Sequence, residues 1–94
     1  MKNGNVSDFL DRLYLGEELV FEYRDKIYFI QGWWEEESVA TMVLDLVEKQ
    51  DFHHYIWKKD ANTMKACADA FLSAPLWEGK TFLQIQETVT WTDW

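Results

Sequence analysis

The chain has 94 residues, 48% of them apolar and 17% aromatic, with six tryptophans: material for one packed domain spanning 1–94, and too apolar for a disordered chain. Seventeen acidic side chains against nine basic ones leave a formal charge of −8, which repels phosphate and anionic lipid and argues against nucleic-acid or membrane-surface partners. No apolar run approaches the ~18 residues that cross a bilayer.

Met1 to Asp8 is polar and has no apolar h-region, so no secretory signal is expected there. Ser7 can cap a first helix, with Asp8 and Asp11 suited to its positive N-terminal end. Phe9, Leu10, Leu13 and Tyr14 form its apolar stripe, and Gly16 supplies the stop. From Leu19 the period changes to two. A two-residue turn at Arg24-Asp25 places Tyr23 opposite Lys26, Phe21 opposite Tyr28 and Leu19 opposite Ile30, with all six on one face of a hairpin.

Gly32-Trp33-Trp34-Glu35-Glu36-Glu37 breaks the alternation and reads as a loop. Residues 38–48 carry two patterns. Val39, Met42, Val43, Leu46 and Val47 fit a helical stripe, whereas β-branched residues alternating with Ala40, Met42, Leu44 and Leu46 fit a strand. The strand is preferred because the hairpin needs neighbours to be stable. A polar turn from Glu48 to Asp51 then leads into a fourth strand, Phe52 to Lys58.

The last third turns helical. Asp60 or Asn62 can cap a helix whose inner stripe is Met64, Cys67, Ala68, Phe71 and Leu72, and Pro75 ends it. Thr81-Phe82-Leu83-Gln84 has capping-box spacing and opens a short helix with Phe82, Ile85 and Val89 inward. The tail from Thr88 to Trp94 alternates threonine and tryptophan and can leave the helix to run along a sheet edge. The expected fold is α+β: an N-terminal helix, a four-stranded antiparallel meander and two C-terminal helices packed on one face.

Phe21-x-Tyr23 followed by Lys26-x-Tyr28-x-Ile30, together with Gly79-Lys80-Thr81-Phe82-Leu83-x-Ile85, resembles a loosely defined group of small acidic proteins of Gram-positive bacteria. Its members are mostly uncharacterised, and some sit near mobile elements or toxin loci. The likeness covers most of the chain in order of elements, and it implies the fold rather than an activity. This chain has Arg24-Asp25 where such proteins often carry Asn-Gly.

No catalytic signature is present, and a non-enzymatic role is expected. Gly79-Lys80-Thr81 echoes the end of a phosphate loop, but the earlier glycine such a loop needs would fall at Ala74. His53 and His54 on a strand point to opposite faces, so no metal site is expected. Cys67 sits on an apolar stripe, has no disulfide partner and fits a reducing, cytoplasmic setting without a bound cofactor.

Charge is concentrated in residues 1–48, with eleven acids against four bases. Trp33 and Trp34 can serve as desolvated anchors, and Glu35, Glu36 and Glu37 can steer a basic partner; Glu17, Glu18 and Glu22 extend the same field. The expectation is a protein-binding module, immunity- or antitoxin-like, whose partner is another protein with a basic surface. The alternatives are a self-associating accessory protein, a homodimer through a strand edge or the tail, and a small-molecule domain with an aromatic pocket between sheet and helices.

Overall fold

The computed structural model describes residues 1–48 and 55–92. The elements run α1 (Val6–Tyr14), β1 (Leu19–Tyr23), β2 (Lys26–Glu36), β3 (Val39–Leu46), β4 (Trp57–Ala61), α2 (Met64–Ser73), α3 (Phe82–Ile85), one 3₁₀ turn (Gln86–Thr88) and β5 (Thr90–Thr92). The fold is α+β, with an antiparallel sheet ordered β4-β3-β2-β1-β5. It has one more strand than the four expected, because Thr90–Thr92 leaves the last helix and pairs with Val20–Glu22 along the edge of β1.

The hairpin register is the expected one, Tyr23 to Lys26, Phe21 to Tyr28 and Leu19 to Ile30. Arg24 and Asp25 both take positive φ, 50° and 65°, as a two-residue turn matched to strand twist requires. Residues 39–46 are a strand, and Ala40, Met42, Leu44 and Leu46 all enter the core.

Several boundaries differ from the sequence reading. Asn5, not Ser7, caps α1: its side-chain oxygen accepts the Asp8 amide at 2.8 Å. Neither Asp60 nor Asn62 caps α2; Thr63 does, accepting the Ala66 amide at 3.1 Å. Asp60 instead lies on β4 and accepts the Thr41 hydroxyl at 2.7 Å. β4 begins at Trp57 and continues to Ala61, beyond the expected end at Lys58. The start of the expected strand at Phe52 to His54, and most of the expected turn after Glu48, lie outside the described residues.

Helix ends follow local chemistry. At the end of α1 the Gly16 amide donates to Leu13 and the Glu17 amide to Arg12, a glycine-terminated pair of bonds with Gly16 at φ 76°. Ser73 closes α2, and Ala74, before Pro75, is extended as a pre-proline residue prefers. Thr81 and Gln84 form the expected reciprocal cap of α3.

All three helices pack on one face of the sheet, over an aromatic cluster. Phe9 from α1 stacks on Phe82 from α3 at 5.0 Å, and Phe21 stacks on Tyr28 at 5.3 Å. Trp77 meets Phe21, Tyr28, Phe71 and Phe82. On the reverse face Val20, Val43, Thr41 and Asp45 are buried apart from that cluster. Asp45 is only 2% exposed; one of its oxygens accepts the Leu46 amide, and the other has no hydrogen-bond partner among the described residues.

Candidate functional site

The expected loop at residues 32–37 is strand instead: β2 runs through Gly32, Trp33 and Trp34 to Glu36 and pairs with β3 as far as Val39. The apolar alternation fails there because Gly32 has no side chain to show it. A Cβ at Gly32 would come within 2.5 Å of the Met64 sulfur and 3.1 Å of the Gly16 Cα, so a close crossing, not a turn, demands this glycine. The register then shifts between Trp34 and Glu36, leaving Glu35 as an extra residue, and Glu37-Ser38 make the turn.

A strand separates what the sequence placed together. Trp33 and Trp34 project to opposite faces. Trp33 lies on the reverse face in a row with Thr41 and Asp60, and its indole N–H donates to the Glu35 carboxylate. Trp34 lies on the helix-bearing face in a row with Ala40 and Ala61 and stays 52% exposed. Glu35, Glu36 and Glu37 are all exposed around the hairpin tip.

Of the flanking acids, Glu17 and Glu18 sit between Gly16 and Leu19, close to Gly32, because the Gly32 amide donates to the Gly16 carbonyl at 3.0 Å. Glu17 also pairs with Arg12 at 3.5 Å in an exposed contact. Glu22 does not join them. It is opposite Ile27 near the other end of the hairpin, seven strand residues from Trp34 and so roughly 23 Å away.

The sequence reading also missed Leu15, which is 72% exposed at the same end of the sheet. The available signal was its place off the stripe formed by Phe9, Leu10, Leu13 and Tyr14: an apolar residue next to a helix stop with no inward position.

Other candidates are structural. The Cys67 thiol is buried, donates weakly to the Ala40 and Lys59 carbonyls, and is pushed up in pKa by burial and then by Asp60. Gly79 follows Glu78 in a tight turn closed by two bonds between Trp77 and Lys80, both central residues having positive φ. His53 and His54 lie outside the described residues, and no group of three metal-ligating side chains occurs among the described ones. Surface depressions of about 390 Å³ at Asn3, Arg12, Trp91 and Thr92 and about 290 Å³ at Asp25, Ile27, Val47 and Glu48 lie at the rim of the sheet, while aromatic rings fill the space beneath the helices.

No helix among the described residues is long and apolar enough to cross a membrane. No protein-family model, curated protein or solved structure matches the chain.

Proposed function

We propose that this protein is a non-enzymatic, acidic binding module, immunity- or antitoxin-like, that covers a basic surface on another protein with the end of its β2–β3 hairpin. The observation that carries this reading is the half-exposed Trp34 ring at the end of β2, beside the carboxylates of Glu35, Glu36 and Glu37. A large rigid ring desolvates at little entropic cost, and clustered carboxylates raise the encounter rate with a cationic partner. Trp33, held by Glu35, presents a second ring on the opposite face and contributes the edge of the contact. A formal charge of −8 supports a protein partner over nucleic acid or an anionic membrane, and a lone cysteine fits a cytoplasmic setting.

The test is quantitative capture from native-host extract, comparing the unmodified protein with Trp34→Ala and with the triple reversal E35K/E36K/E37K. One host protein should be captured in a salt-sensitive way and lost with either variant. If the triple reversal leaves both the affinity and its salt dependence untouched, the reading fails.

A further inference from the structure

We infer that the overhanging edge of β2, from Gly32 to Glu36, is a strand-addition site for an extended basic segment of another protein; this deepens the acidic-module reading and rests on it. β1 is shorter than β2. Their pairing ends at Leu19 and Ile30, and one further bond, Gly32 N–H to Gly16 C=O, closes that side. In an antiparallel ladder alternate residues direct both backbone groups to the same neighbour. Gly32 directs its amide away from β3, and Trp34, two residues on, does the same. Among the described residues no strand lies beyond Gly16 on that side. The Gly32 carbonyl and the Trp34 amide and carbonyl are therefore spaced to receive a new strand.

The other edges of the sheet are guarded. Lys2 bonds to the outer side of β5, donating to Val89 and accepting from Trp91. β4 carries Lys58 and Lys59 on its exposed edge, a usual protection against pairing. The β2 overhang has no lysine or proline. It carries exposed apolar groups instead, Trp34 on the strand and Leu15 beside it.

Charge selects the occupant. Glu17 and Glu18 lie at the near end of this edge and Glu35, Glu36 and Glu37 at the far end, with Arg12 offsetting only Glu17. An incoming strand alternates its side chains between the faces. On the helix-bearing face they meet Trp34, and Leu15 is exposed next to Gly16 at the near end; on the reverse face they meet Trp33 and Glu35. The complementary segment alternates apolar and basic residues, with backbone bonds providing affinity and side chains specificity. A second copy of this chain fits poorly, since it brings another −8 and the same acidic overhang.

The probe is a synthetic peptide of about eight residues alternating lysine and valine, with a glutamate–valine peptide as its control. Saturation with the lysine peptide should slow amide exchange at Trp34 by roughly tenfold or more, and the control should not. Trp34→Thr keeps the outward amide and Trp34→Pro removes it, so the proline variant should bind about tenfold more weakly than the threonine one. The inference is overturned by no binding at about 1 mM lysine peptide, by binding without protection of the Trp34 amide, by equal affinities of the two variants, or by protection that rises with protein concentration alone, which marks a self-paired dimer. Loss of host-protein capture on charge reversal, with an unprotected Trp34 amide, would keep the acidic module and remove strand addition. Capture indifferent to charge reversal would remove the module itself.

Discussion

Gly16 and Gly32 touch backbone to backbone: the Gly32 amide donates to the Gly16 carbonyl at 3.0 Å, and the Met64 thioether lies across both. This crossing fixes the height at which α1 hands over to the sheet, and it sets the point beyond which β2 runs without a neighbour on that side.

Adding a methyl group at Gly32 pushes directly on Met64, whose end is flexible, and on the Gly16 Cα, which is not. Gly32→Ala should therefore destabilise by about 1–3 kcal/mol in urea unfolding. Because the clash is shared, Met64→Ala should reduce that penalty, and a double-mutant cycle measures the coupling. Additive losses would show that the two residues do not press on each other.

Trp34 and Trp77 should behave as opposites. Trp77 is buried against five aromatic rings, so Trp77→Ala should cost about 3–5 kcal/mol. Trp34→Ala, at a half-exposed site, should cost less than about 1 kcal/mol. Thermal denaturation of the two variants side by side checks the contrast.

The turn at Arg24-Asp25 holds two side-chain-bearing residues in left-handed conformation. Asn-Gly relieves that strain, at the loss of an exposed Arg24–Glu78 pair that contributes little. Replacing both residues should stabilise by about 1 kcal/mol, read as a rise in Tm of about 4–8 °C.

A surface clasp joins α1 to α2: the Tyr14 hydroxyl and the Lys65 ammonium both donate to Asp69 at 2.7 Å. Lys65, then Tyr14, hold the Asp69 carboxyl below its usual range, while the bond to Asp69 raises the Tyr14 phenol. A depressed carboxyl contributes stability above the unfolded carboxylate range near pH ~4 and loses it as pH falls through its folded value. A raised phenol contributes below pH ~10 and loses its share as pH rises through its folded value. Asp69→Asn should flatten the stability profile in both windows, and Tyr14→Phe mainly in the alkaline one, by denaturant titration across pH.

Cys67 should resist thiol reagents at neutral pH, since it is buried and its thiol is held in the neutral form. Labelling should accelerate with urea in step with global unfolding. Fast labelling of the native protein would contradict the packing around it.

What was legible in the sequence was what neighbouring residues decide among themselves. The hairpin register followed from a two-residue turn, the alternation of Ala40, Met42, Leu44 and Leu46 identified the inward face of β3, and Thr81 with Gln84 marked α3. What was hidden depends on distant partners. Gly32 looks like a strand terminator until Gly16 and Met64 are seen against it. The bounds of β4 were hidden in the same way: Lys58, Lys59 and Asp60 are all exposed, and Asp60 reads as a helix cap until its place opposite Thr41 is seen. Asn5 and Thr63 competed with Ser7, Asp60 and Asn62 as caps, and small shifts in helix entry decided between them. For the candidate site, the residues were visible but not their separation: Trp33 and Trp34 adjoin in the chain and stand back to back across a sheet.

The aromatic cluster is assembled from distant parts of the chain, with Phe9 resting on Phe82 and Phe21 beneath both. During synthesis the first sixty residues therefore leave the ribosome with Phe9, Phe21 and Tyr28 lacking most of their eventual cover. Closure waits for residues 64–85, and the long loop that must shut first makes collapse slow relative to helix formation. The nascent chain is most prone to association in that interval, when its acidic first half provides the repulsion that keeps copies apart.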